Sequence, residues 1–318
     1  MTAKLLIFTT TESKIFSLKK VLGKALDGTG IVIDEADQHN FRQKLDDDVA
    51  VFVLSGAKRG TAYREQMHGP NIRHLERHMA EGLQVWAICA GSFVLSQRFR
   101  FKDYDADGNA AWEKEVDSRG PVKWEREFDR AGNITSEKKT DLAIGLVDVF
   151  AYGVDPRLYR TVRAGESNPW EGYTDTRVNF MFDGRPLSAH FALAKGPSFI
   201  ELGEGQCESF ATYEATGETA VVRFAYGRGG GIMSGPTPEV GGEGLSRLVT
   251  QEQRDNPHCN RIITALENSH QNWARMLVGM LESLLHKLPE THARIRENMG
   301  VEPKPECKIA PSPAGRGI

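Results

Sequence analysis

Cysteine is scarce in this chain: four in 318 residues, Cys89, Cys207, Cys259 and Cys307, standing far apart with no CxxC pair. Such spacing excludes a disulfide framework and a zinc knuckle and fits a reducing compartment, so a cytoplasmic protein is expected. An excess of either charge is also missing. At a formal net charge of −3 there is no basic field for a polyanion, and nucleic acid is not an expected partner. No apolar run approaches the ~18 residues of a membrane span, and "MTAKLLIFTT" at the start has a short apolar stretch and no cleavage site, so neither a membrane segment nor a targeting signal is expected. The histidines form no ligand-spaced cluster. The half calcium loop "DYDADG" (103–108) meets Lys114 where a bidentate glutamate is needed, so no metal and no cofactor is expected. What the chain does have is apolar content, 40% of its residues, enough for a sizeable core.

The apolar residues are distributed as short runs between helical stretches. "KLLIF" (4–8), "GIVID" (30–34), "VAVFVLSG" (49–56) and "QVWAICAG" (84–91) read as buried strands, with helices near 13–26, near 70–81 and from about Ser92. This pattern predicts an α/β fold with a doubly wound, mostly parallel sheet of the flavodoxin-like kind, and ligands in such sheets sit at the carboxyl ends of the strands. Charge-rich alternation in "WEKEV" and "VKWEREF", across a turn at "SRGP", predicts a β-hairpin insertion over about 100–141. Strand patterns return at 176–182, 209–215 and 219–227. A three- and four-residue recurrence of Ile262, Leu266, Trp273, Leu277, Met280, Leu284 and Leu288 predicts one long helix over 261–288 within a helical segment of about 245–300. One domain over 1–300 is expected, with a flexible, Pro- and Gly-rich tail over 301–318.

The chemistry-bearing stretch is "VWAICAGSF" (85–93). A strand that ends in cysteine, passes through small residues (Ala90, Gly91) and enters a helix has the layout of a nucleophile elbow, in which the turn exposes the side chain at the sheet edge and the helix N-terminus favours a thiolate. Free cysteine is also among the most often buried residue types, so a buried thiol remains an open alternative. Lys58 and Arg59 in "SGAKRG" stand at a neighbouring strand end, where two cations draw an anionic ligand or depress a thiol pKa.

"VFVLSG" followed by "MHGPNIRHLERHMAEGLQVWAICAGSFVLS", and later "DLAIGLVDVFAYG", "AKGPSF" and "YGRGGGIMSGPTPE", resemble the class I glutamine amidotransferase-like superfamily, in the branch known from the N-terminal domain of biotin-protein ligase and from free-standing bacterial proteins. The resemblance spans roughly residues 1–290 apart from the insertion. It implies that Cys89 is the nucleophile position and that Gly56, with Ala57 after it, is the turn whose amides form an oxyanion hole, with Ala90 beside the cysteine. The family's His-Pro-Glu triplet reads Thr237-Pro238-Glu239 here, so a threonine stands where the family has its base. A hydroxyl whose pKa lies far above seven cannot take and return the proton in acyl transfer. Three substitutes are weighed: His190, in "LSAHFALAKGP"; Glu12, in the loop from which other branches of the superfamily send a carboxyl group to the elbow cysteine; and His258, in "NPHCN", which precedes a helix and is read chiefly as ending a loop. No counterpart of the biotin ligase catalytic domain is present, so biotin ligation is not implied.

Two function classes follow as expectations. One is an inactive or divergent member that binds a small-molecule ligand or a protein partner in the Cys89 cleft; the other is a cysteine-dependent hydrolase or amidotransferase with a non-standard base. A homo-oligomer is left open.

Overall fold

Strands made of β-branched, leucine and aromatic residues with no charge in their interiors must be covered on both faces, and three of the four strands that open the chain, all but the second, are of this kind. In the computed structural model, which describes residues 2–11, 15–57, 61–67, 69–104, 110–140, 143–153, 155–167, 173–203, 205–241 and 249–304, these are β1 (Lys4–Phe8), β2 (Val32–Ala36), β3 (Val49–Leu54) and β4 (Gln84–Ile88). They alternate with α1 (Phe16–Ala25), α2 (Phe41–Lys44), α3 (Thr61–Gln66), α4 (Pro70–Glu81) and α5 (Ala90–Leu95). The bounds of α4 follow from its ends: proline at the first helical position, and Gly82 past the last at φ 129°, which an L side chain adopts only with strain.

The remaining strands are β5 (Ser96–Tyr104), β6 (Ala110–Asp117), β7 (Trp124–Phe128), β8 (Ile134–Lys139), β9 (Val147–Gly153), β10 (Thr174–Phe182), β11 (Arg185–Leu193), β12 (Pro197–Glu201), β13 (Cys207–Tyr213), β14 (Thr219–Tyr226) and β15 (Gly229–Ser234). The sheet runs β2-β1-β3-β4-β15-β14-β12-β9-β5-β6-β7-β8, with β10, β11 and β13 branching from it. Neighbours from β2 through β15 in that order are parallel; beyond β15 the pairs are antiparallel apart from β5 with β9. The expected mostly parallel sheet is therefore corrected to a mixed one. The reason is connection length. Tyr226 pairs with Gly229 around a two-residue turn, and Phe182 with Arg185 around Asp183-Gly184, both at positive φ; links this short join only antiparallel strands.

Two other expectations change. The insertion near 100–141 is a four-stranded meander, β5 to β8, whose first strand belongs to the main sheet through β9; the turn between β6 and β7 is present as read, while 105–109 of the calcium-like stretch lie outside the described residues. The long C-terminal helix is two helices. After α6 (Gln251–Asp255), α7 (Pro257–Asn268) ends at Ser269 and α8 (His270–Leu284) begins again, followed by α9 (His292–Met299). Ser269, at φ −95° and ψ 3°, leaves the helical conformation and breaks the run. Ile262 and Leu266 then pack on Ala192, while Trp273, Leu277, Met280 and Leu284 join the main core.

Alternation along β1 divides the core. Leu5 and Ile7 face α1, α8 and α9, and Leu6 and Phe8 face α2 to α5 with Phe41, Tyr63, Leu75 and Phe93. The tail starts docked: Val301 is buried in the first of these clusters and Glu302 pairs with Arg275; 305–318 lie outside the described residues. No described helix is long and apolar enough to cross a membrane.

Candidate functional site at Cys89

Because β3, β4 and β15 are parallel neighbours, their carboxyl ends, Leu54, Ile88 and Ser234, lie along one edge of the sheet, and the segments that follow them converge there. Cys89 leaves β4 at φ 49° and ψ −107°, a left-handed conformation rare for a side chain with a Cβ, and α5 starts at the next residue. The chain turns sharply here between strand and helix. It is clamped from both sides: the Cys89 amide donates to Ser234 O at 2.8 Å, and Ser92 Oγ lies 2.9 and 3.0 Å from the carbonyls of Ala87 and Ser234 while accepting the Ser234 amide at 3.1 Å. Gly91 is glycine for a spatial reason, since a Cβ there would run into the Leu54 carbonyl.

The thiol is 8% exposed and donates to Ala194 O at 3.4 Å. Ala194 belongs to the "AKGP" link between β11 and β12. Lys195 in it holds φ 58°; a Cβ on Gly196 would run into the Gly235 carbonyl, and one on Gly235 into the Pro197 carbonyl and the Tyr213 hydroxyl. The turn after β3 reaches the same place: a Cβ built on Gly56 lies 3.9 Å from Cys89 Cβ and 4.0 Å from Glu239 Oε1. Cys89, Gly56 and Glu239 are thus close neighbours at this edge of the sheet. Ala57 follows Gly56, half-buried, and Ala90 is the buried first residue of α5.

Thr237-Pro238-Glu239 is held rigidly. The Thr237 amide and hydroxyl both donate to Ala192 O at 2.9 Å, and Trp273 Nε1 of α8 donates to Pro238 O at 2.9 Å. Glu239 is 4% exposed, its Oε2 has no hydrogen-bond partner among the described residues, and burial pushes its carboxyl up to about 7. Thr237 thus brings a hydroxyl committed to the backbone, and Glu239 a buried carboxyl group, to this end of the sheet.

His190 is placed elsewhere. Its Nδ1 bonds Asp175 Oδ2 at 2.6 Å, and it lines a cleft in whose walls neither Cys89, Thr237 nor Glu239 takes part. His258 lies in the first turn of α7, fully buried. Glu12, Lys58 and Arg59 lie outside the described residues. The sequence reading missed the contribution of the 194–196 link and of Tyr213, whose hydroxyl donates to Pro197 O beneath it; the run of small residues "AKGP" paired with "SGP" was the available signal. Among the described residues no group of three or more His, Cys, Asp or Glu side chains could hold a metal ion.

No family model and no curated protein matches the chain. Among solved structures, it is similar to a glutamine amidotransferase from Thermotoga maritima at 15% identity, with 91% of this chain and 99% of that one covered and a TM-score of 0.45. PurLQS from Thermotoga maritima follows at 10% identity, 84% and 99% coverage and a TM-score of 0.41. A ThuA-like protein from Bacteroides uniformis matches at 11% identity, 74% and 82% coverage and a TM-score of 0.40.

Proposed function

We propose that this chain is a glutamine amidotransferase-like protein, of the branch resembling the biotin-protein ligase N-terminal domain, that keeps the elbow but lacks the proton-transfer unit, and that its Cys89 cleft binds a small molecule or a protein partner instead of hydrolysing glutamine. The observation that carries this reading is the Thr237 hydroxyl donated to Ala192 O, with Glu239 left as a buried acid. The Cys89 thiol donating to a backbone carbonyl supports it further, since a hydrogen bond made by the neutral form disfavours the thiolate.

The test is the pH dependence of iodoacetamide alkylation at Cys89, followed by mass spectrometry. The expected result is slow modification with a midpoint at or above the ordinary thiol value of about 8.5. In Thr237→His the midpoint should fall, because an imidazole between Cys89 and Glu239 restores the missing base. Rapid alkylation of the native chain below pH 7 sinks the binding-module reading. It would favour the second one, a cysteine-dependent hydrolase or amidotransferase. That reading has a specific observation behind it: Glu239, titrating near neutrality beside the Gly56 turn, is itself a candidate base.

A further inference from the structure

We propose that the cleft between the β10–β11 hairpin and α7 is a second ligand site, built for a small oxyanion. Its volume is about 630 Å³, within the range of small-molecule sites. Arg160, Arg177 and Arg261 line it together with His190, and no aspartate or glutamate is among its described lining residues. The carboxylates are behind the cations. Asp175, with a side chain 1% exposed, accepts Arg160 Nε and Nη2 and His190 Nδ1; Glu166 accepts Arg261 Nη1 and Nη2 at 2.6 and 2.7 Å. Burial pushes the Asp175 carboxyl up, and the hydrogen bonds from His190 and Arg160 more than reverse this, so it stays charged and holds both groups in place.

Formal charges around the cleft nearly balance, because Glu214 also lies 3.4 Å from Arg177 Nε. Geometry decides the preference. Cations in front and carboxylates behind make a dipole whose positive end faces the cleft, and the fixed guanidinium planes suit the paired oxygens of a phosphate or carboxylate. Arg160 Nη1 and His190 Nε2 have no hydrogen-bond partner among the described residues. Across the cleft, Asn260, Thr264 and Asn268 recur at four-residue steps along α7, a polar stripe on the helix whose other side buries Ile262, Ile263 and Leu266. Neutral amides and a hydroxyl beside three arginines suit an anion that also carries hydroxyl or amide groups. This site is independent of what Cys89 does.

Isothermal titration calorimetry of the full chain at low ionic strength, with inorganic phosphate and with citrate as separate probes, tests it. Saturable binding is expected; phosphate alone assigns a phosphoryl ligand and citrate alone a carboxylate one. Arg177→Gln, at an exposed position, should weaken the binding roughly tenfold, since a hydrogen bond to a charged group is lost. Asn268→Asp, also exposed, should weaken it at least as much by repulsion, with the melting temperature of each variant confirming that it folds. Cys89→Ser should leave the affinity unchanged. The proposal is overturned if neither anion binds, if both cleft variants bind like the native chain, or if Cys89→Ser abolishes binding.

Discussion

Glu239 has a carboxyl group of which one oxygen finds no donor among the described residues, and its folded pKa of about 7 stands above the usual 4.5. A raised pKa means that the folded state holds a proton which the unfolded state releases between those values. The associated stability is fully present below about pH 4.5 and is lost as pH rises through 7, a loss of about 3 kcal/mol. Glu239→Gln keeps the shape and removes the titration. It should therefore be close to neutral at pH 5 and stabilising by up to about 3 kcal/mol at pH 8, read as the shift in urea midpoint; equal midpoints of variant and native chain at pH 8 would refute the assignment. Cys89 stores strain of a different kind. Its positive φ costs on the order of 1–3 kcal/mol for a residue with a Cβ, whereas glycine is free of it and loses roughly 0.5–1 kcal/mol more in backbone entropy. Comparing Cys89→Gly with Cys89→Ala removes the sulfur from both. The glycine variant should be the more stable by about 1 kcal/mol in urea unfolding, and the reverse order would mean that the turn is unstrained.

At the scale of elements, what was legible in the sequence was whatever depends on local pattern. The first four strands, three of them buried, and α4 were readable from apolar runs and from the Pro70 and Gly82 punctuation, and the turn of Cys89 from one cysteine flanked by small residues. Strand direction was not, because it is set by link length and by which edge a strand reaches, and "YGRGGG" looks the same whether its strands run in the core or at an edge. The position of His190 was equally unreadable: four residues from Ala194 along an extended chain is ~13 Å, and its partner Asp175 lies on the neighbouring strand. A joint between elements that sequence also conceals is Arg296. It is 2% exposed on α9 and ties Asp183, in the β10–β11 turn, to Glu282 of α8. Arg296→Met leaves two carboxylates facing each other in a nearly buried position, so the variant should lose about 3–5 kcal/mol of stability at pH 7. The deficit should shrink at pH 4, where protonation relieves it; a loss independent of pH would assign the role of Arg296 to its guanidinium over the Phe182 ring.

For the whole molecule, the mixed sheet divides the core into two faces, and only one of them depends on the C-terminal helices. Ile295, Met299 and Val301 are buried there with Leu18 and Leu22 of α1, and Asn298 Nδ2 donates to the Ala25 and Asp27 carbonyls that end α1. The last described turn of the chain therefore closes over its first helix. Three buried aliphatic side chains contribute roughly 2 kcal/mol each, and removing them also strips Asp183 and Glu282 of their cation; the sum rivals the ~5–15 kcal/mol net stability of a domain. Truncation after Leu285 should thus abolish the cooperative urea transition, followed by tryptophan fluorescence, rather than lower its midpoint. Trp86, on the central strand β4, and Trp273, on α8, are both buried and would report together. A truncated chain that still unfolds cooperatively, with its midpoint near that of the full chain, would mean that α1 and α8 seal this face without α9.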